Sequence, residues 1–426
     1  VAHSFPTRRS SDLFAPDAIS EDTDAAFFDA DGDGDMDLYV ARGGNEYPNT
    51  SSALVDRLYL NDGRGNFTRS DQVLPAGRYE STACVRPADF DGDGVTELFV
   101  GIRLRPFLYG VPVNGYLLEN DGSGQFTNVT PGVAPGLQEV GMIRDMRWED
   151  LDGDGDLDMV LAGDWMPVRI FLQENGRFTE KKEVFGEPTA GWWNCLVTAD
   201  VDGDGDPDLV AGNHGLNSRF RASRERPVTM VVNDFDLNGS AEQIISVYEG
   251  DSAYPLALKH DLTSQIPRLA QKYPRYSMYK NQQVSDIFAP NQLKNALFLE
   301  ASMLETSLFL NDGSGSFTRR PLPPEVQFST VMAIRAGDYD GDGLTDLLMG
   351  GNLFRVKPEV GRYDASYGWF LKGDGKGKFR NIPPGESGWH LEGEVRRIIE
   401  MEIGGETHLV VAGNNAPFQF FRPEKR

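Results

Sequence analysis

Nine residues, Asp29 to Asp37 (DADGDGDMD), carry five carboxylates and run directly into the apolar Leu38-Tyr39-Val40. So many like charges in so short a stretch repel one another, and a cation at the centre relieves that repulsion. Positions one, three and five (Asp29, Asp31, Asp33) place oxygens on one side of an ion. Gly34 at position six permits a sharp turn, position seven (Asp35) offers its backbone carbonyl, and Asp37 at position nine completes the shell. Hard oxygen donors on a flexible ring suit Ca²⁺ better than Mg²⁺, which demands a stricter octahedron.

The loop recurs at Asp89, Asp91, Asp93, Val95 and Glu97, then at Asp150, Asp152, Asp154, Asp156 and Asp158. Further copies use Asp200, Asp202, Asp204, Asp206 and Asp208, and Asp338, Asp340, Asp342, Leu344 and Asp346. A relaxed copy runs through Asp234, Asp236, Asn238, Ser240 and Glu242. The pattern implies about five or six Ca²⁺ sites. The sequence argues against an EF-hand, which needs a bidentate Glu at position twelve and helices on both flanks. Here position twelve is Val40, Val100, Leu161, Ala211 or Met349.

Elements that position such loops must be extended. Before them stand runs such as Ala25-Ala26-Phe27-Phe28 and Leu196-Val197-Thr198-Ala199, so each loop joins two strands of a hairpin. A second motif alternates with the first: LYLNDGRGNFT from Leu58, YLLENDGSGQFT from Tyr116, IFLQENGRFT from Ile170, LFLNDGSGSFT from Leu308 and WFLKGDGKGKF from Trp369. Each reads as a strand, a turn of Gly, Asn and Asp, and a strand opened by Phe67, Phe126, Phe178, Phe317 or Phe379. Two hairpins make a four-stranded unit with a repeat of about 50 to 60 residues, which predicts an all-β, seven-bladed β-propeller of four-stranded antiparallel blades with a helical insertion. The blades are expected near residues 25–80, 84–140, 145–190, 195–250, 253–325, 332–390 and 395–426 of a single domain over 14–426, with the helical insert at about 259–296. In this reading Val228 to Asn233 and Gln243 to Tyr248 form the outer hairpin of blade four; the alternative makes Val228 the first strand of blade five. Blade seven lacks a fourth strand; either residues around Phe5 fill that slot or the adapter has displaced the true closing strand.

Residues 1–13 (VAHSFPTRRSSDL) resemble translated sequencing adapter rather than native chain. The net charge of −24 arises from 41 basic and 65 acidic residues, two-fifths of the latter in the six loops. Six bound Ca²⁺ would bring it to about −12. The acidity counts against nucleic acid as a partner. No apolar run reaches membrane-spanning length. Cys84 and Cys195 each sit five residues before a loop in separate repeats, which points to buried thiols rather than a disulfide.

The D-x-D-G-D-G-x-x-D-L loop followed by N-D-G-x-G-x-F resembles the FG-GAP or VCBS repeats of bacterial surface proteins, similar to the propeller of integrin α-subunits and to the cartilage acidic protein type. That resemblance implies a seven-bladed propeller with calcium in hairpin loops along one rim, the loop positions named above serving as ligands. The chain departs from the eponymous pattern, because no Phe-Gly and Gly-Ala-Pro pair frames the repeats.

Nucleophile elbows, zinc-protease helices and phosphate-cradling loops are absent from the sequence. Arg86, Arg147 and Arg335 share a register three residues before their loops, as an anion site or as partners of neighbours such as Asp145 and Glu149. In a four-strand meander the connections between strands two and three lie at the end opposite the acidic loops. These connections are long and carry Arg103, Arg105, Tyr109, Arg219, Arg221, Arg224 and Arg226, together with Tyr47, Arg355, Tyr363 and Tyr367. Arg and Tyr are favoured at binding surfaces. The sequence therefore reads as a calcium-stabilised extracellular binding or adhesion module for a protein or glycan, secreted, periplasmic or at the cell surface, within a larger surface protein or alone. The alternative is a polysaccharide-acting lyase or hydrolase.

Overall fold

The strands that leave four of the acidic loops are apolar on both faces, and this decides where they go. Asp37–Gly43, Asp158–Met166, Asp208–Gly212 and Asp346–Gly351 are buried along their whole length. The strand entering the first loop, Glu21–Phe28, is by contrast mostly exposed. Unbroken apolar runs of this kind suit central strands covered on both sides.

The computed structural model describes residues 15–75, 77, 79–357 and 360–423. The adapter-like leader and Phe5 lie outside the described residues. Two simple meanders open the chain: Glu21–Phe28, Asp37–Gly43, Arg57–Asn61 and Phe67–Arg69, then Ser81–Ala88, Glu97–Leu104, Gly115–Asn120 and Phe126–Asn128. A third sheet of five strands contains Met142–Glu149, Asp158–Met166, Arg169–Glu174 and Arg177–Lys181, with the short Gly191–Trp192 pairing on Asp158–Met166. The fourth sheet runs Cys195–Ala199, Asp208–Gly212, Ser307–Asn311, Phe317–Arg320. Between its second and third strands the chain forms a complete fifth sheet, ordered Ser252–Pro255, Glu242–Glu249, Val228–Asn233, Leu297–Ala301. The sixth sheet comprises Val331–Gly337, Asp346–Gly351, Trp369–Gly373 and Phe379–Ile382, and the seventh has only Val395–Ile403, Glu406–Gly413 and Gln419–Phe421.

The expected seven-bladed propeller is corrected by this topology. The seven antiparallel sheets are separate and open, and none closes on itself. One has five strands, one has three, and the fifth is nested inside the fourth rather than following it. The pairing of Ala211 with Ser307 and of Leu209 with Phe309 shows why the blade reading misplaced residues 228–325. The LFLNDGSGSFT motif completes the fourth sheet, whereas Val228–Asn233 pairs with Glu242–Glu249 in a sheet of its own. Apolar strand content fixes that a segment is a strand; it does not choose between two apolar partners separated by an insertion.

By contact the chain divides into two compact units, Val1–Trp148 with Gln173–Glu180 and Glu149–Leu172 with Lys181–Arg426. In the first, Phe28, Tyr39, Leu58, Leu98, Val100 and Leu118 form a shared core for the first two sheets. In the second, Val160, Ile170, Trp193, Leu209 and Phe309 join the third and fourth sheets. Five short helices between Lys259 and Leu293 place Leu262, Ile266 and Phe288 on Val231 and Ile244 of the fifth sheet and on Phe235 of its loop. Among the described residues no helix is long and apolar enough to cross a membrane. Cys84 and Cys195 are buried, and burial pushes the Cys84 thiol up to about 12.

Candidate functional site

Each acidic loop is a tight coil built by its own carboxylates. The position-one side chain accepts two backbone amides: Asp29 Oδ1 from Gly32 at 2.8 Å and Oδ2 from Gly34 at 3.0 Å. Asp89, Asp150, Asp200 and Asp338 repeat both bonds. Position five accepts from the amide at position seven, as Asp33 does from Asp35, Asp93 from Val95, Asp154 from Asp156, Asp204 from Asp206, Asn238 from Ser240 and Asp342 from Leu344. Gly34 sits at φ 90°, a conformation an L side chain rarely adopts.

Position nine does more than close a shell. Asp37 receives the Ala30 amide on Oδ2 and the Asn61 amide on Oδ1, both at 2.7 Å, so it ties the loop to the third strand. Asp208 does the same with Val201 and Asn311, and Asp346 with Tyr339 and Gly373. The relaxed copy keeps the bond from Phe235 to Glu242 at 2.9 Å.

Position three is different. Oδ1 of Asp31, Asp152, Asp202, Asp236 and Asp340 is buried with no hydrogen-bond partner. A buried carboxylate oxygen left unpaired costs on the order of 1–3 kcal/mol, and the five such oxygens at one loop position belong to clusters capable of holding a cation. Carboxylate oxygens of Asp29, Asp31 and Asp33 lie within 4.8 Å of one another. So do those of Asp89, Asp91 and Glu97; of Asp150, Asp152 and Asp158; of Asp200, Asp202 and Asp208; and of Asp234, Asp236 and Glu242. Burial first, and the neighbouring carboxylates second, hold Asp31, Asp152 and Asp202 above the usual range. Burial likewise pushes Glu97 up to about 8 and Asp208 up to about 6. The donor set is all oxygen, so the residues fit a hard divalent cation.

The turn motif has a role its sequence alone did not disclose. Asn120 Nδ2 donates to the carbonyl of Ala30, at position two of the preceding sheet's loop, at 2.8 Å. Gln173 reaches Phe90 at 3.0 Å and Asn311 reaches Leu151 at 2.9 Å, again at position two of a preceding loop. Gly373 has no side chain there, and the amide of Gly377 meets Val201 instead at 3.2 Å. Neighbouring sheets are thus stitched loop to turn. The recurrence of Asn in one register was the available signal.

Three stretches of the chain, residues 29–100, 150–211 and 287–349, match the FG-GAP-like repeat. The first two stretches each run from one acidic loop into the strand that leaves the next, and the third ends in the strand that begins at Asp346. Among curated proteins, none matches the chain. Solved structures with some likeness include the Vibrio cholerae biofilm matrix protein Bap1 (12% identity, 92% of this chain and 74% of that one, TM-score 0.36). The Dos1 propeller (10%, 95% and 78%, 0.41) and BBS1N in its complex with ARL6DN (10%, 95% and 92%, 0.37) are comparable. At such scores none of them decides the fold. The matched stretches take in five of the six acidic loops; they leave out the relaxed copy at 234–242 and the seventh sheet, and they include only the last part of the helical segment, from residue 287.

The far-end residues are dispersed. Arg103, Arg105 and Tyr109 belong to the first unit, and Arg105 is held by Glu80 at 3.2 Å. Arg219, Arg221, Arg224 and Arg226 lie in the second. Arg221 bonds its own loop through the carbonyls of Ser218, Phe220 and Leu216, and Arg226 pairs with Asp251 at 2.7 Å, leaving Arg219 and Arg224 as exposed cations. The three arginines that share a register are committed to carboxylates: Arg86 to Asp24 and Asp145, Arg147 to Asp145, Arg335 to Glu400. They do not assemble an anion site.

Proposed function

We propose that the chain is a calcium-stabilised extracellular binding or adhesion module that recognises a protein or glycan through the sheet ends opposite its acidic loops. The observation that carries the calcium half is the recurrent unpaired Oδ1 of the position-three aspartates. Positions one, three, five and nine would hold the ion with the position-seven carbonyl, at Asp29, Asp31, Asp33, Asp35 and Asp37 and their counterparts. Bound calcium supplies a fixed positive charge that offsets the clustered carboxylates. Loops of this kind fill where calcium is millimolar, which favours an extracytoplasmic setting.

The binding half rests on chemistry placed away from the loops. The strand ends there carry Arg and aromatic side chains, and the exposed Arg219 and Arg224 stand out on a chain of net charge −24. Glycan and protein arrays probed with the purified chain, with and without calcium, test the whole reading. Calcium-dependent capture of a defined glycan or protein is expected. Blank arrays together with a melting curve indifferent to calcium would refute both halves.

A further inference from the structure

Within the second unit, the short strand Gly191–Trp192 and the segments that follow the central strands of the fourth and sixth sheets bring aromatic rings together. Trp192 lies 5.1 Å from His214 and 4.7 Å from Phe220, centroid to centroid, and His214 lies 4.7 Å from Tyr363. Trp165 packs on Trp192 at 5.1 Å and holds a backbone φ of 57°, a strained value for a bulky residue. The scaffold beneath is rigid. Buried Asn213 receives the amides of both Trp192 (3.2 Å) and His214 (2.8 Å) on one oxygen, and its own amide donates to the Met303 carbonyl at 3.0 Å. Gly191 is needed beside it, since a Cβ there would lie 2.5 Å from that same carbonyl.

Three polar atoms of this cluster are buried and unpaired: Trp192 Nε1, His214 Nε2 and Tyr363 Oη. His214 and Tyr363 are each only 8% exposed. Native proteins pair nearly all such atoms, with protein, water or ligand. Three within one nest of rings therefore point to an occupant that offers hydrogen bonds and apolar faces together. The indole can only donate, the phenol donates and accepts, and the imidazole nitrogen does one or the other according to tautomer. Burial pushes His214 down to about 4, so it is neutral at neutral pH. Arg219 immediately precedes Phe220, whose ring packs on Trp192 and His214, and this exposed guanidinium beside the cluster disfavours a bound cation.

We infer that Trp192, His214 and Tyr363 form a subsite for one sugar ring of an acidic, uronate-containing glycan, with Arg219 meeting the carboxylate. Sugar hydroxyls donate and accept at once, and the C–H face of a pyranose covers aromatic rings, so this ligand class satisfies each feature of the cluster. The inference rests on the binding-module reading above and narrows it to a place and a chemistry.

The test uses the full chain in millimolar calcium, with hyaluronan, heparosan and alginate oligosaccharides as acidic probes and cellohexaose as the neutral one. Calorimetry gives affinity, and the indole N–H resonance of Trp192 reports occupancy. An acidic probe should bind and shift that resonance. Tyr363→Phe and His214→Gln should each weaken it at least tenfold with little change in melting temperature, and Arg219→Ala should abolish the preference over cellohexaose. Binding of wild-type strength in Tyr363→Phe and His214→Gln would remove the subsite while leaving the binding-module reading standing. Failure of every acidic probe to move the Trp192 signal would overturn the proposal, as would Tyr363→Phe raising the melting temperature with no effect on any ligand, the mark of a water-filled cluster. Capture of a protein alone on the arrays would likewise overturn it and keep the broader reading.

Discussion

The ammonium nitrogen of Lys372 lies 2.8 Å from a carboxylate oxygen of Asp342, inside the acidic loop of the sixth sheet, and it also contacts Asp340. The corresponding residues of the other four turn motifs are Leu60, Glu119, Leu172 and Leu310, so none of them supplies a cation from this register. Hydrogen bonding to Lys372 holds Asp342 below the usual carboxylate range. A tethered ammonium competes with a mobile cation for the same oxygens. Lys372→Leu should therefore raise the calcium affinity of this loop about tenfold, read by isothermal titration as one additional or tighter site. Unchanged stoichiometry and affinity would show that the lysine swings clear of the ion.

Calcium removal should loosen the whole chain. Each site filled at tenfold its Kd adds about 1.4 kcal/mol when the unfolded chain does not bind. Melting in chelator should occur many degrees below melting in millimolar calcium, and Asp204→Ala should reduce stoichiometry by one. Asn238→Ala, in the loop already short of charge, should change it little. Superimposable melting curves would argue that the loops close without metal.

The stitching amides give a stability prediction independent of metal. Asn311 is 4% exposed and donates to Leu151 and to Pro207 across two loops. Asn311→Ala leaves the buried Leu151 carbonyl without this partner and should cost about 1–3 kcal/mol in urea unfolding at saturating calcium. The exposed turn substitution Ser314→Ala, which removes a surface hydroxyl donation to Asp312, serves as the comparison.

Much of this was legible in the chain. Loop spacing fixed the hairpins, since Asp at odd positions with Gly at six leaves few backbone paths, and the apolar run after each loop fixed the central strands. Partner choice was not legible. Val228–Asn233 and Ser307–Asn311 are equally apolar, and only the pairing of Ala211 with Ser307 reveals which one the fourth sheet takes. The aromatic cluster was equally hidden. Tyr363 stood among the far-end residues, but Trp192 and His214 are isolated in sequence and meet only because Asn213 binds both backbones.

Acidity should reveal Asp56. Its carboxyl accepts from the Tyr39 hydroxyl at 2.9 Å, the Arg42 amide at 2.7 Å and the Thr82 hydroxyl at 3.0 Å, yet complete burial pushes it up from 3.8 to about 7. A raised acid binds more protons folded than unfolded. Its contribution is therefore fully present below about pH 4 and is lost as pH rises through about 7. Asp56→Asn lacks this dependence, so its stability relative to the native chain should climb by up to a few kcal/mol between pH 4 and 7 and then level off. Parallel pH profiles for the two proteins would place the carboxyl at its ordinary value.

The nesting of one sheet within another sets a timetable for synthesis. Strand Asp208–Gly212 emerges from the ribosome with one edge paired to Cys195–Ala199, and its other partner begins at Ser307. At translation rates of about 5–20 residues per second, that edge waits on the order of 5–20 s. Through this interval Leu209, Val210 and Ala211 form an unfinished, apolar strand edge, the kind that recruits foreign strands. The intervening segment has its own core, so it can fold first and bring Ser307 back beside Ala211. Slow codons within residues 213–306 would prolong the exposure, and a chaperone that caps strand edges would act on this nascent chain most usefully there.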